Sequence, residues 1–441
     1  MAIVNGIGME SNKNLRVNFN GGNLTSDAGL LLLMEFYHKF GVEKLLQTQF
    51  HTTDPGHKRK HEDNENLMQM LYQITASYFQ DDHADALRFD PIFTAALGKD
   101  ALASQPTLSR FHNRMDEATL TQLEEIQRVL RARAYSVERP EHVLFDLDST
   151  LLATYGNQEA AAFNYHYQAN GYHPLLCFDG MTGDLLKAEL RPGAMYCSNG
   201  AAAFMAPLME EYQTDYPDIS LFLRGDSGFA TEELYSLCET NGTSYAIRLK
   251  ENAVLKRLAN DIESELKDMT QDNIVPYAAV YGEFFYKAGS WDYPRRVVCK
   301  LEKPYGQMLH LYTFVVTNMD SSPEDIVRFY SKRGNMENFI KECKSGFDMA
   351  YASSSSQIVN ANRMQIHALA YNLFNWFRRL TLPEKLKRDR IDTLRLKLLK
   401  IAARVVHSAR YIYFQLCSSC PFQSEFSQTL CNIWNLTPLL E

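Results

Sequence analysis

The sequence predicts an α/β fold built on a mixed sheet, with helical regions on either side. Three observations carry this reading. From His142 to Lys250 the pattern runs strand, hairpin, helix, strand, helix, strand. Residues 1–135 read mostly as helices, and helical patterns return after residue 351. The composition is that of an ordinary globular protein: 45% hydrophobic and 22% charged over 441 residues, enough for two or three domains and a large core.

The N-terminal region opens with LRVNFNGG, a strand-like piece ending in paired glycines. A capped helix is expected from Thr25, with Ser26 and Asp27 leading into AGLLLLMEFYHKFG. HTTDPGHKRKH (51–61) is polar; its three histidines raise metal binding, but the surroundings suit a solvated basic loop. ENLMQMLYQITASYFQ is a second helix, and DDHADALRFDPIFTAAL is helical up to Pro91 and again after it. SQPTLSRFHNRMD (104–116) enters a helix with Ser104 as cap and Pro106 in the first turn. Arg110 and Arg114 stand i,i+4 and would share a face, either of a DNA-recognition helix or of an ordinary amphipathic one.

At His142 the period changes to two. In HVLFDLDST, Val143, Phe145 and Leu147 point one way, and Leu144, Asp146 and Asp148 the other. Two carboxylates on one strand face repel unless a cation lies between them. GYHPLLCFDGMTGDLLKAELRPG is a hairpin turning at Asp179–Gly183, followed by a helix over 199–216. ISLFLRGDSGFA runs straight into Asp226, then comes the helix ATEELYSLCETNG and the strand SYAIRLK. This order suits an RNase H-like domain, in which acids at adjacent strand ends can meet a glutamate on a later helix. After a helix near 253–268, VPYAAVYGEFFYKAG, WDYPRRVVCKLEK and HLYTFVVTN form a β-rich insertion over about 251–318.

PEDIVRFYSKRGNMENFIKECKSGF (323–347) reads as one helix, started by Pro323, Glu324 and Asp325 and stopped near Gly346. At about 100° per residue, Tyr330, Arg333, Glu337, Lys341 and Lys344 share a stripe roughly a quarter-turn wide on the shoulder of the apolar face. An i,i+4 ion-pair ladder explains part of that stripe. Charges so close to a buried face are otherwise costly unless they bind something.

The net charge of −8 argues against a simple DNA-coating protein, but phosphate contacts depend on where cations sit. Eleven cations between Arg378 and Arg410 face only Glu384, Asp389 and Asp392, which makes the C-terminal region locally basic. No apolar run approaches the roughly 20 residues needed to cross a bilayer, and no secretion signal is visible, so a cytoplasmic, nucleoid-associated protein without membrane partners is expected. Eight cysteines lack paired metal-ligand spacing; Cys417-x2-Cys420 stands alone, and free thiols are expected.

The spacing Tyr330-x2-Arg333-x3-Glu337-x6-Lys344, with FDLDST before it and LRGDSGF between, resembles the signature of DDE transposases of bacterial insertion sequences. GYHPLL, LRPG, VVTN and SQPTLSRF extend the resemblance to the insertion-sequence thirteen-eighty family over most of the chain. It implies Asp148, Asp226 and Glu337 as catalytic and metal-holding acids, with Asp146 the alternative to Asp148, which is preferred for the Ser149-Thr150 that follows. Two Mg²⁺ ions, with Mn²⁺ as substitute, would be held by these oxygens, since hard cations prefer carboxylates. Tyr330, Arg333, Lys341 and Lys344 would contact DNA, as would Arg110 and Arg114. Trp291 would stack on a flipped base, or else pack on the sheet.

The resemblance further implies a cut-and-paste reaction, passing through a hairpin, on double-stranded terminal inverted repeats and target DNA, with a homodimer in the synaptic complex. A stand-alone nuclease on the same fold and a non-catalytic repressor derived from a transposase are the rival readings. The expected domains are a DNA-binding helical region (1–135), the catalytic domain (136–350) and a helical, basic C-terminal region (351–441).

Overall fold

The computed structural model describes residues 7–54, 59–270, 277–304, 307 and 309–440. His57 of the basic loop and the first two residues of VPYAAVYG lie outside the described residues. The chain forms two compact units. One comprises Met1–Glu138, Gly346–Asp348 and Leu369–Glu441; the other comprises Arg139–Ser345 and Met349–Ala368.

The first unit includes, besides a single helical turn at His83–Ala86, the helices α1 (Leu30–Lys39), α2 (Val42–Gln49), α3 (Asp63–Thr75), α4 (Pro91–Leu97), α5 (Gln105–His112) and α6 (Glu117–Val137). Their apolar stripes meet in a core that includes Leu33, Phe36, Leu67, Leu71, Phe111, Leu123 and Leu130, all fully buried. Asp116 closes the start of α6, accepting from the Thr119 amide at 3.0 Å while its own amide donates to Thr119 Oγ1 at 2.9 Å. The expected start of α1 at Thr25 is corrected to Leu30. Leu24–Thr25 is instead a short strand, and the buried Asp27 carboxylate is taken by Lys400 at 2.6 Å and by the Tyr78 hydroxyl at 2.9 Å. Engaged by those partners, Asp27 does not cap a helix.

The second unit is organised on an eight-stranded mixed sheet. In chain order it contains β1 (His142–Ser149), β2 (Leu175–Asp179), β3 (Leu185–Glu189), α7 (Ala201–Asp215), β4 (Ser220–Gly225), α8 (Glu232–Thr240) and β5 (Ser244–Leu249). Then follow β6 (Ala278–Tyr286), β7 (Arg295–Lys303) and β8 (Leu311–Thr317). The strand order is β6-β7-β8-β5-β4-β1-β2-β3, with β1, β4 and β5 parallel and the other pairs antiparallel. This is an RNase H-like sheet of five strands, extended by three. The insertion does not stand apart, because β8 pairs along β5 from Ala246–Thr317 to Leu249–Phe314 and continues the same sheet.

After β8, Ser322 caps α9 (Pro323–Ser331) by accepting from the Asp325 amide at 3.2 Å. Ile326 and Val327 press α9 onto Ala246 of β5, Val298 of β7 and Val315 of β8. Here the structure corrects the single helix expected over 323–347. α9 ends at Ser331, α10 spans Gly334–Lys341, and Glu342–Gly346 is a π turn. At the first break the amides of Arg333 and Met336 donate to carbonyls only three residues back, Tyr330 and Arg333, at 2.9 Å each. Gly334, a weak helix former, sits at that break.

The helix α11 (Gln357–Thr381) contributes residues to both units. The C-terminal region is not wholly helical as expected: β9 (Ala403–Ser408) and β10 (Tyr411–Leu416) form a hairpin, and β9 also pairs with Leu24–Thr25. ARVVHS and YIYFQL are rich in β-branched and aromatic residues, and Ala409 turns the chain at φ 52°. The basic residues mask that period. The closing helix is α12 (Gln423–Trp434). Among the described residues no helix is long and apolar enough to cross a membrane.

Candidate active site

Strand register brings the first two acids together. Parallel β1 and β4 pair Asp146 with Arg224 and Leu147 with Gly225. The next positions along the two strands are therefore Asp148 and Asp226, at the carboxyl ends of neighbours roughly 4.8 Å apart. The same register resolves the crowding of two acids on one strand face. Arg224 holds Asp146 in a two-pronged pair, Nε to Oδ1 at 2.7 Å and Nη2 to Oδ2 at 2.6 Å. Both partners are buried, at 2% and 0% exposure, and Arg224 Nη1 also donates to the Phe329 carbonyl at 2.7 Å. Gly180 leaves room for this pair: a Cβ there would lie 2.3 Å from Asp146 Oδ2. Asp146 is thus engaged within the fold, and Asp148 is the first-strand acid that remains partly accessible.

Asp148 Oδ1 accepts from the Ser149 amide at 2.8 Å, and Oδ2 meets Arg333 Nη2 at 3.0 Å. Burial pushes its carboxyl up, Arg333 opposes the shift, and the nearby Asp226 charge adds to it. Asp226 sits where β4 becomes a short turn and accepts from the Gly228 amide at 2.9 Å. Gly228 fits closely there: a Cβ would come within 2.4 Å of Cys197 Sγ. The Arg333 guanidinium reaches β1 a second time, donating from Nη2 to the Leu147 carbonyl at 3.0 Å. Tyr330 is half-buried beside the same acids; burial raises its hydroxyl, and the Arg333 and Arg248 charges work against the shift.

The expected ion-pair ladder is not formed. Glu337 and Lys341 are exposed, and neither the Arg333–Glu337 nor the Glu337–Lys341 pair forms. Lys344 turns inward instead, donating to Thr150 Oγ1 at 3.1 Å and the Leu151 carbonyl at 2.7 Å, where burial lowers its pKa. The break at 332–334 and the π turn at Glu342–Gly346 each interrupt the single helical register that the stripe assumes. Among the described residues, no three histidine, cysteine, aspartate or glutamate side chains gather closely enough to hold a metal ion. Asp148 and Asp226 supply hard oxygen donors suited to a divalent ion.

Two further expectations are corrected. Trp291 is buried at 5% exposure, edge-on to Tyr235 and Tyr286 with Arg295 over its ring, so it packs on the sheet and does not present a face to a base. Arg114 lies beyond the end of α5 and pairs with Asp63 at 2.6 Å, so it shares no helix face with the exposed Arg110.

Tyr167 is a residue that sequence reasoning does not single out. Its hydroxyl donates to the Ser149 carbonyl at 3.2 Å, and burial, Asp148 and Asp226 push it up to about 12. The tip that carries it is built by Asn164, whose side-chain oxygen accepts from the His166 and Tyr167 amides at 3.0 and 3.3 Å. That Asn, which ends the short strand Ala162–Asn164 ahead of Ala169–Tyr172, is the available signal.

No curated protein matches the sequence. Among solved structures, the chain is similar to piggyBac transposase in a synaptic complex with hairpin DNA, at 15% identity, TM-score 0.37, and coverage of 84% of this chain and 85% of that one. It is more distantly similar to Mos1 transposase in a paired-end complex with the left transposon end, at 13% identity, TM-score 0.18, and coverage of 49% and 73%. The family model described as "Transposase DDE domain group 1" matches residues 7–438, nearly the whole chain. With its first two acids set side by side at the tips of β1 and β4, the chain belongs to the DDE transposases of group 1.

Proposed function

We propose that the protein is a cut-and-paste transposase of an insertion sequence, close to the thirteen-eighty family, acting on the element's terminal inverted repeats. The observation that carries this is the register that sets Asp148 beside Asp226 within a full-length family match. Those two acids, together with Glu337, would hold divalent ions, Mg²⁺ or Mn²⁺. When bound, the ions supply Lewis-acid polarisation of the phosphate and activation of the attacking oxygen. Arg333 and Tyr330 would bind and orient the phosphate, and Tyr167 would form one wall that limits water beside it.

Water attack would free a 3′ hydroxyl, which attacks the opposite strand to leave a hairpin; hairpin opening and transfer into target DNA would follow. The residues before 136, with the basic C-terminal region, would hold the duplex, and two copies would pair two ends. Asp226→Asn or Glu337→Ala should keep duplex binding and lose cleavage in Mg²⁺ by a factor of about 10³ or more. Cleavage by either purified variant at the wild-type rate would defeat the assignment. Joining of a pre-cleaved 3′-hydroxyl end separates a transposase from a stand-alone nuclease.

One observation favours a second reading, a DNA-binding repressor without catalysis: among the described residues no three metal-ligating side chains gather. Duplex binding by the wild type with no cleavage in Mg²⁺ or Mn²⁺ would support that reading.

A further inference from the structure

In the first unit, Asp54, residues 59–61, Arg88 and the helix α5 line a cleft of about 800 Å³. Small-molecule pockets of this size are lined mainly by apolar and aromatic groups. This one carries five Lys and Arg side chains, with Asp54 as the acid on its wall. Two of the five are neutralised: Arg59 pairs with Asp54 at 3.0 Å and Asp63 at 2.9 Å, and Arg114 with Asp63 at 2.6 Å. Lys60, Arg88 and Arg110 have no carboxylate partner among the described residues.

Arg88 Nε is, moreover, shielded from solvent with no hydrogen-bond acceptor among the described residues. A buried donor left unpaired costs free energy that an incoming anion would recover. The field inside the cleft agrees. Burial, then Lys99, Lys60 and Arg88, hold the His61 imidazole below its ordinary pKa against the pull of Glu65.

Shape selects among anionic partners. A recognition helix must protrude to enter the major groove. Here Leu108, Phe111 and His112 turn α5 into the core, and Arg110 lines a recess. A recess cannot enter a groove, whereas the sugar–phosphate ridge of a duplex can enter a recess. We propose that this cleft seats the phosphate backbone of duplex DNA, through Lys60, Arg88 and Arg110, and contributes affinity without reading sequence. The inference rests on the transposase reading above and names the surface that would grip DNA away from the acids.

The test is a Lys60→Ala/Arg88→Ala/Arg110→Ala variant of the full chain, compared with wild type by fluorescence anisotropy in metal-free buffer. The duplexes are one taken from the DNA flanking the coding region and one of scrambled sequence, over a range of salt concentrations. Because the ion pairs around Asp63 are untouched, the melting temperature should match wild type. The expected result is weaker binding to both duplexes by a similar factor, and a plot of log K against log salt shallower by about 3. A Lys60→Arg/Arg88→Lys/Arg110→Lys variant should keep the wild-type slope.

An unchanged slope in the alanine variant overturns the proposal, as does a loss confined to the flanking duplex, which would mean base reading. Tight binding of a labelled mononucleotide that leaves duplex binding unaffected also overturns it, in favour of a free nucleotide. Failure of the transposase reading shows elsewhere, in a wild-type chain that binds neither duplex.

Discussion

Arg224 decides which first-strand acid is locked inside the fold. Asp146 and Asp148 share a face, and a strand pattern alone leaves them equivalent; the distinction comes from a cation 78 residues away, placed opposite Asp146 by the β1–β4 register. The sequence LRGD holds this information as Arg224 two residues before Asp226, mirroring Asp146 two before Asp148, but only strand pairing makes it legible. Asp146→Ala strands a buried guanidinium and should cost about 3–5 kcal/mol, read as a lower urea midpoint. Replacing both partners, Asp146→Leu with Arg224→Met, should recover much of that loss. If Asp146→Ala leaves stability unchanged, the pair is not what holds these strands in place. Asp148 and Asp226 are legible because each lies in a short motif on a strong strand. Tyr167 is not, because its relation to the acids exists only across the sheet.

At the scale of the element, the stretch 323–347 shows where periodicity runs out. The start of α9 is legible from Ser322-Pro323 and the acids that follow, all local features. The break is not, since a helical wheel assumes unbroken i→i−4 bonding and cannot register a glycine hinge or an extra residue in a π turn. Gly334 has negative φ and open space where a Cβ would go. Gly334→Ala should therefore stabilise the protein by about 0.5–1 kcal/mol, seen as a higher thermal midpoint. A lower midpoint would mean that the hinge needs glycine for a reason other than propensity. The β9–β10 hairpin is hidden for the opposite reason: Arg404 and Arg410 draw attention to charge, while the alternation of Val405, His407, Ile412 and Phe414 carries the strand signal.

Across the whole molecule, the net charge of −8 says little about partners, because cations are concentrated locally, as the cleft beside α5 illustrates. Overall architecture is legible in the strand–helix order of 142–250, whereas the attachment of the insertion is not, since three antiparallel strands can close on themselves or join a neighbour. They join: β8 runs along β5, whose Tyr245, Ala246 and Ile247 are fully buried. A chain trimmed of residues 251–318 to yield a minimal core would expose that rim, with its amides and carbonyls unsatisfied over an apolar flank. Size-exclusion chromatography should then find soluble aggregates or swapped dimers in place of the parent species. The added strands thus act as a permanent seal, and engineering toward a smaller chain must supply a substitute before removing it.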